Sequence, residues 1–594
     1  MNSLVPKLLL FLAVNSALLN AQTVPDSLHV ETPGSLSTLV TETDKLYITD
    51  LEITGSINGD DFLTIREMLY LANLNLKEAT IVAGGGTFTL DNSLYYGQLS
   101  GLQNLETVVL PDNLTLIGQS SFYDCAWLKE VVMGNQVTEI AMGAFADCKA
   151  LTTLELPMSL KTIGNKGAYT SLNGTFEGCT KLTTLTIPRS VTSVDVRCFK
   201  GCTKLQTVVL PDMLTSIPSE FFSGCTALTS ITLPSRTTTI GYSAFYNCAS
   251  LETIDLPDAV EGIDGWAFAS CSKLTTVSGG EGLLYITDSA FRLCSSLNNI
   301  SFNAGLLSIG ESAFEGCVAL MHIILPNSVT MISESAFEGC TALETVIIED
   351  DDVYNAPDGT SGGDTRAAQV PVPGQLTRLP TSLFEGCTNL RSVMLPASIY
   401  SIGMVTFKDC VSLQGIDLPE ALETIDIYAF NGCSALESIV FPEKVRSIGQ
   451  GAFGGCSALR SVRCLSATPP TLGGGVNEVS FAFWRVDYEK CWLHIPVGTT
   501  DTYRAHYAWS KFIHTSESLV DELEMPSTGL FTTVSRAGEV WIRGGEPGAV
   551  VRVYDSRGAL VRQLIADGAE SRLDRLAPGV YIVTCGREKS KLIL

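Results

Sequence analysis

The 594-residue chain has little positive charge and few histidines. It carries 38 Lys and Arg against 63 Asp and Glu, a net charge of −25, and only 5 His. So negative a protein repels phosphate backbones and anionic lipid surfaces, and we expect neither nucleic acid nor a membrane surface as a partner. The histidines are scattered, and no H-E-x-x-H or G-x-S-x-G motif occurs. We therefore expect no enzymatic activity, no catalytic residue, no metal and no cofactor.

Long apolar segments are absent beyond the N-terminus. Lys7, an apolar run from Leu8 to Leu19 and then Ala21 form a pattern typical of a secretory signal peptide over residues 1–21. No later run reaches the roughly 20 apolar residues that a membrane-spanning helix needs. Cys125, the first cysteine, lies too far from this segment to carry a lipid anchor. These features predict a secreted chain.

What the chain does contain is a repeat built on phenylalanine and cysteine. The heptapeptide ESAFEGC occurs at Glu311 to Cys317 and again at Glu334 to Cys340. Fourteen cysteines from Cys125 to Cys456 follow this pattern, most of them 23 residues apart, each with Phe three residues before it and Leu three after it. Two longer steps predict insertions at about residues 164–174 and 350–373. Such strict periodicity is the mark of a solenoid, in which each rung depends on its neighbours.

Each rung has the pattern of one short strand. In the rung that follows Cys148, Leu154 and Leu156 alternate with polar residues until Pro157 ends the strand. An isoleucine eight residues before the next cysteine, such as Ile240, and an Ala-Phe pair form the returning arc.

These residues resemble the BspA-like, or treponemal, leucine-rich repeat, over about residues 80–465. The resemblance implies an α/β-type leucine-rich-repeat solenoid, with short parallel β-strands on a concave face and an irregular or 3-10 convex side. It assigns residues 81–463 to the repeats. It also implies a surface protein that binds other proteins or cells.

The cysteines of the repeat are expected to be reduced. All fourteen occupy one inward position, where Cys acts as a small apolar residue, and parallel side chains lack the convergent geometry of a disulfide. Of the four remaining cysteines, only Cys464 and Cys491 are candidates for a disulfide, and the sequence leaves that question open.

Residues on both sides of the repeats predict caps for an exposed solenoid core. Residues 22–80 contain a strand pattern and then a helix that Asn58 or Asp60 can cap. Residues 464–514 resemble the C-terminal cap of related surface proteins. Their aromatic residues are expected either to cover the last rung or to form a binding cluster: Trp492, Tyr503, Tyr507, Trp509 and Phe512.

The last segment predicts a separate domain. Residues 515–527 are polar and acidic, as in a linker, and residues 528–594 alternate short strands with Gly and Pro turns, which favours a small all-β sandwich. The motifs VRVYDSRGALV and LAPGVYIV and the basic-apolar terminus resemble the C-terminal sorting domain of type IX secretion cargo. This implies contact with the type IX machinery, passage across the outer membrane and attachment to surface lipopolysaccharide. A plain adhesion-type sandwich is the alternative.

The candidate ligand site lies on the outward strand positions, five and seven residues after each cysteine. The first position is mainly Ser and Thr, but neighbouring rungs place an apolar group at the second. Stacked apolar side chains on an exposed face favour a partner. The hypothetical ligand-binding residues are His322, Ile324, Thr345, Ile347 and Met394. The insertion at 350–373 is either a flap over a bound partner or a cover that folds onto the patch itself, and its acidic residues favour a solvated loop over a calcium site.

Two functions fit this sequence. The first is a monomeric, surface-attached adhesin that binds host matrix proteins, host cells or other bacteria. The second is a structural or scaffolding component of the cell surface with no host ligand.

Overall fold

The computed structural model describes residues 27–86, 90–164, 173–349, 376–473 and 482–518, and seven strands between 532 and 593. The predicted signal peptide and most of the two predicted insertions lie outside these residues. The chain divides into two compact units, Met1–Pro211 and Asp212–Leu594. Among the described residues, no helix has the length and apolar character to cross a bilayer.

The first unit consists of stacked rungs behind an N-terminal cap. All strand pairs in it are parallel, as predicted. The sheet that starts in the cap contains Ser27–Val30, Asp50–Ile57, Asn73–Asn75, Ala79–Ile81, Thr107–Val109 and Glu130–Val132. A pair from later rungs is Thr184–Thr186 with Thr207–Val209. A separate sheet contains Ser93–Leu94, Leu116–Ile117, Glu139–Ile140 and Thr162–Ile163.

The cap of the first unit is fixed by a buried carboxylate. The helices and turns of the cap are Leu36–Leu39, the 3-10 turn Asp44–Leu46 and Gly59–Arg66. Asn58 caps Gly59–Arg66, and Asp61, fully buried, accepts hydrogen bonds from the Asn58 N–H at 2.8 Å and the Leu36 N–H at 2.8 Å. This capping box ties the incoming chain to the start of the helix.

The second unit continues the same rung pattern. Its face strands, which follow the cysteines, are Thr253–Leu256, Thr276–Gly279, Asn299–Ile300, His322–Leu325, Thr345–Ile348, Ser392–Met394, Ser438–Phe441 and Ser461–Cys464. Each rung also has a two-residue second strand: Ser216–Ile217, Thr239–Ile240, Gly262–Ile263, Tyr285–Ile286, Ser308–Ile309, Met331–Ile332, Arg378–Leu379, Ser401–Ile402, Thr424–Ile425, Ser447–Ile448 and Thr471–Leu472. Sequence analysis placed these isoleucines in the arc and missed the second strand, because two residues are too few to show alternation.

The core of the rungs is formed by the Phe and Cys of the repeat, which we call the ring column and the ladder cysteines. All fourteen Phe, all fourteen Cys and all fourteen following Leu have 0% exposed surface. Within each unit, successive Phe rings stack in nearly parallel planes, with centroids 5.2 to 5.7 Å apart in the first and 5.0 to 5.8 Å apart in the second. This confirms that neighbouring rungs share one dry interior.

The thiols do more than fill space. The Cys294 Sγ donates to the carbonyl of Phe268 at 3.1 Å, and the Cys317 Sγ donates to that of Phe291 at 3.2 Å. The same contact, to the Phe of the preceding rung, is made by ten more of these cysteines, from Cys148 to Cys456. A cysteine at this position therefore links two rungs while remaining small and largely apolar.

The arcs are built from tight turns with left-handed residues. The residue before each of the fourteen cysteines has a positive φ, and twelve of these residues are Gly, Asp or Asn. Most residues five before the cysteine also have a positive φ, including Val405 at 50°. The N–H of each cysteine bonds to the carbonyl three residues back, as in Cys294 with Phe291 at 3.1 Å, which is 3-10 geometry. The irregular, 3-10 side of the predicted fold is confirmed.

The second unit ends in further parallel strands, Trp492–Pro496 and His514–Ser518, with the helix Thr500–Ala505 and the 3-10 turn Trp509–Lys511 between them. Phe483 extends the ring column by stacking on Phe453 at 5.3 Å. Trp509 packs on Phe483 with ring centroids 5.6 Å apart and donates to the Pro470 carbonyl at 2.9 Å. Of the five aromatic residues considered for this segment, three are buried, and Trp492 and Tyr507 remain exposed.

At this end of the repeats the structure answers one open question and differs from one expectation. Cys464 and Cys491 are free thiols. Trp492 pairs with Ser461, so Cys491 and Cys464 stand at opposite ends of neighbouring strands, about 13 Å apart along the strand direction and too far for a disulfide. Residues 515–518, predicted as the start of the linker, instead continue the strand that begins at His514.

The C-terminal strands form two antiparallel sheets. One contains Thr532–Arg536, Glu539–Arg543 and Glu570–Leu573, and the other contains Leu560–Ile565, Val550–Asp555, Val580–Cys585 and Glu588–Ile593. The antiparallel all-β character of this segment agrees with the sequence pattern.

Candidate functional site: the apolar patch on the face strands

The five residues of the candidate site lie on three neighbouring parallel strands. His322 pairs with Thr345 and Ile324 pairs with Ile347 in the register of the first two strands. Ile347 in turn pairs with Met394 on the third strand. The structure therefore brings all five residues into one patch. The longer repeat step from Cys340 to Cys387 does not disturb this register.

The patch differs from the sequence prediction in its exposure. Ile347 is only 3% exposed and Thr345 only 7%, whereas His322, Ile324 and Met394 are partly exposed. The prediction that Ile347 is an open contact residue is wrong: an aspartate at this position would place a charge in a buried site and destabilise the fold. Whether the 350–373 insertion covers Ile347, as one of the two hypotheses holds, lies outside the described residues.

The rim of the patch is charged and apolar. The residues four after each cysteine are Met321, 45% exposed, followed by the exposed Glu344 and Arg391 on the next two strands. Their backbones join through the Glu344 N–H to the Met321 carbonyl at 2.8 Å and the Arg391 N–H to the Glu344 carbonyl at 3.0 Å. Partly exposed apolar side chains inside a polar rim are the usual composition of a protein contact surface.

The rungs next to the patch are more polar at the same position, whereas distant rungs place the exposed Val132 and Val209 there. Ser278 and Asp255 are exposed two and three rungs before Ile324, and Asp417 is exposed one rung after Met394. Ile324, Ile347 and Met394 therefore form a local apolar group between more polar rungs. Chemically, this surface can bury apolar area and form ion pairs at its rim through Glu344 and Arg391.

Sequence reasoning missed an aromatic stack where the face strands end. Trp492, 45% exposed, stacks on His514 with ring centroids 4.8 Å apart, and the His494 ring centroid is 6.5 Å from that of Trp492. The His494 Nδ1 is 2.7 Å from the Ser516 hydroxyl, and partial burial together with the nearby Arg463 lowers its pKa. The sequence contains the C-W-L-H segment and a later histidine. Their pairing follows only from the strand register, so the sequence alone does not reveal this stack.

The described ionisable groups do not assemble a nucleophilic or metal site. Burial raises the pKa of the ladder thiols, to about 12 for Cys271 and Cys340, so they are inert as nucleophiles. Within the described ranges, no group of three or more His, Cys, Asp or Glu is placed to hold a metal ion. The acidic residues from Asp350 to Asp364, considered as a calcium loop, lie outside those ranges.

One buried carboxyl has a strongly altered environment. In the first unit, Asp195 is only 5% exposed and accepts hydrogen bonds from the Thr175 N–H at 2.9 Å and the Thr175 hydroxyl at 3.0 Å. Burial is the main cause that raises its pKa to about 7, and the bonds from Thr175 counteract part of that effect. Its position beneath the arc makes it a structural group whose charge depends on pH.

Comparison with known proteins gives the family. Residues 92–172, 169–275, 267–356 and 364–469 match the BspA type leucine rich repeat region, in six copies. The chain belongs to this family. The matched segments cover more than half of its length, and they contain all fourteen phenylalanine and cysteine rungs of the solenoid described above.

Several solved structures to which this chain is similar are bacterial leucine-rich repeat proteins. A leucine-rich repeat protein from Bacteroides ovatus is 27% identical, with a TM-score of 0.40, over 62% of this chain and 82% of that one. A leucine rich cell surface protein from Faecalibacterium prausnitzii is 26% identical, with a TM-score of 0.32, over 53% of this chain and 85% of that one. The T. pallidum leucine rich repeat protein is 30% identical, with a TM-score of 0.25, over 34% of this chain and 79% of that one. No curated protein matches the chain.

Proposed function

We propose that this BspA-type protein is a non-enzymatic, surface-attached adhesin that binds host matrix proteins, host cells or other bacteria through its face strands. Three observations support the proposal: the family of the repeats, the local apolar patch with its charged rim, and ladder thiols that burial keeps unreactive. The patch is the single observation that carries it. Ile324 and Met394 remain partly exposed on strands that otherwise present polar residues outward.

The binding mode follows from the burial pattern. A partner would contact the partly exposed Ile324 and Met394, and its charged groups would meet Glu344 and Arg391 at the rim. Central apolar anchors inside a rim that excludes water supply most of the free energy of typical protein interfaces. Ile347 lies between Ile324 and Met394 in the register and is buried, so it is not itself an anchor.

The test uses the purified protein and two variants, each with a substitution seven residues after a cysteine of the repeat. Ile324→Asp should weaken binding to an immobilised matrix protein by about tenfold or more, because about 1.4 kcal/mol of apolar contact corresponds to tenfold in Kd. Val209→Asp is the matched control, since Val209 occupies the same position of another rung and is 52% exposed. Circular dichroism melts establish that both variants fold. Equal affinity of the Ile324→Asp and Val209→Asp variants would contradict the proposal.

One observation favours the second function, a structural role in the cell envelope. Ile347 and Thr345 are already buried in the isolated chain, so part of the patch is covered without a partner. A scaffold would co-purify with envelope proteins of the bacterium and show no saturable binding to matrix proteins, host cells or other bacteria. An adhesin would show the reverse, and surface binding assays together with affinity purification from the bacterium separate the two.

The route to the surface is part of the same proposal. Residues 1–21 would direct export, and residues 528–594 would direct passage through the type IX machinery and attachment to surface lipopolysaccharide. The supporting features are the sequence motifs of the last segment and its antiparallel strands. Deleting residues 528–594 should leave the protein inside the outer membrane, as surface proteolysis and immunolabelling of intact cells would reveal. Surface exposure of the deletion variant would exclude this route.

A further inference from the structure

A groove in the first unit has the composition of a ligand site. It has a volume of about 320 Å³, and its lining side chains are Arg66, Tyr96, Ser100, Ser120, Tyr123 and Asn173. None of these residues belongs to the patch on the face strands. Its volume is at the lower end of the range of small-molecule sites, which suits one or two sugar rings.

The groove follows from the spacing of the arcs. Ser120 lies five residues before Cys125, and Gly97 and Gly143 hold the equivalent positions of the neighbouring rungs. Gly97 and Ser120 line the groove together with the larger Tyr96 and Tyr123. A Cβ on Gly143 would lie 3.3 Å from the Ser120 hydroxyl and from the Asn173 carbonyl, and Gly143 has a φ of +67°. Glycine therefore keeps this end of the groove open.

The two tyrosines offer aromatic surface to solvent. Tyr96 is 64% exposed and Tyr123 37%. Their backbones are held by the arc hydrogen bonds, with the Gly97 N–H donating to the Gln119 carbonyl at 2.9 Å and the Gly101 N–H donating to the Tyr123 carbonyl at 2.8 Å. The negative face of an aromatic ring attracts the weakly positive C–H face of a sugar, while the phenol hydroxyl remains available for hydrogen bonds.

The charge of the groove favours a sugar that carries a carboxylate over a neutral one. Arg66 is exposed at the end of the helix Gly59–Arg66, and none of the described residues that line the groove is Asp or Glu. In a protein with a net charge of −25, a groove whose described lining has one cation and no anion is a local exception. A guanidinium group matches a carboxylate with two parallel hydrogen bonds. Ser100, Ser120 and Asn173 supply the neutral donors and acceptors that sugar hydroxyls require.

The backbone argues against a simple phosphate site. The N–H groups of Gly97 and Ser120, which line the groove, already donate to the carbonyls of Gln119 and Met142, at 2.9 and 3.2 Å. They are not free to cradle an anion, as the N–H groups of a phosphate-binding loop are. We propose that this groove binds a sugar that carries a carboxylate, with Arg66 on the carboxylate and the Tyr96 ring against the C–H face of the sugar.

Calorimetric titration of the purified full chain tests the proposal. The probes are sialyllactose, an unsulfated disaccharide containing glucuronic acid, and neutral lactose. We expect saturable binding of at least one carboxylated sugar and binding of lactose that is weaker by about tenfold, the loss that corresponds to one charged hydrogen-bond pair. Arg66→Gln should remove this preference by weakening the acidic sugar about tenfold. Tyr96→Ala should weaken the acidic sugar as well.

The control is Tyr285→Ala, which removes a tyrosine of the second unit that is 45% exposed. It should leave the affinity unchanged. Three results would each overturn the proposal: no binding of either carboxylated sugar, unchanged affinity in Arg66→Gln, or equal competition by inorganic phosphate or a short polyglutamate peptide. The last result would reduce the groove to a site for negative charge alone.

Discussion

Phe291 stands inside the ring column of the second unit, and Phe291→Ala measures how far neighbouring rungs depend on one another. Its side chain has 0% exposed surface, and its ring stacks on Phe268 and on Phe314 with centroids 5.2 Å apart on both sides. Loss of a buried Phe typically costs about 3–5 kcal/mol of unfolding free energy, and two ring contacts of roughly 1 kcal/mol each are part of that loss. The Phe291 N–H still reaches the Ala313 carbonyl, at 2.8 Å, so the variant isolates packing from backbone bonding.

Urea denaturation followed by far-UV circular dichroism gives the loss of stability, and peptide-resolved hydrogen exchange locates it. We expect the loss of protection to concentrate in the rungs of Cys271, Cys294 and Cys317, because each rung of a solenoid contacts only its neighbours. The control is Tyr285→Ala, which removes a largely exposed ring and should change stability by about 0.5 kcal/mol or less. A cost for Phe291→Ala below about 1 kcal/mol would refute the reasoning.

Two other predictions concern strain and charge. Val405 is a β-branched residue with φ at 50°, so Val405→Asn should raise the unfolding free energy by about 1 kcal/mol in urea denaturation. The control Val411→Asn, at a position without positive φ, should give no such gain. Equal effects of the two substitutions would contradict the strain argument. The pKa of Asp195 is raised to about 7 from 3.8, so its contribution to stability is full below pH 4 and is lost as the pH rises to about 7. The Asp195→Asn variant should therefore be more stable than the natural protein by up to about 4 kcal/mol in urea denaturation at pH 8, and this difference should disappear near pH 4. A stability difference independent of pH would contradict the raised pKa of Asp195.

The sequence predicts the interior of the rungs because a fixed period places one residue type in one environment. Phe and Cys at constant spacing leave little choice of which side chains face inward, and the first strand shows its alternation in residues such as Leu154 and Leu156. The second strand of each rung cannot be predicted because a Thr-Ile or Ser-Ile pair is too short to show a periodic pattern. The thiol contact to the Phe carbonyl of the preceding rung cannot be predicted for a different reason, since it depends on how two rungs align.

The candidate site shows where sequence reasoning stops. The outward positions of Ile324, Ile347 and Met394 follow from spacing alone, and the structure places them side by side. The burial of Ile347 does not follow, because exposure depends on what lies above a strand as well as on the direction of its side chains. The groove beside Tyr96 was missed because its residues come from a helix of the cap and from three rungs.

Alkylation of the native protein tests the central claim most directly. The fourteen ladder cysteines have no exposed surface, and burial raises their pKa, as for Cys271 to about 12. A water-soluble alkylating reagent at pH 8, followed by mass spectrometry of each peptide, should leave these thiols unmodified in the folded protein and modify all of them in urea. Rapid modification of most ladder cysteines in the folded protein would contradict a dry interior shared by neighbouring rungs.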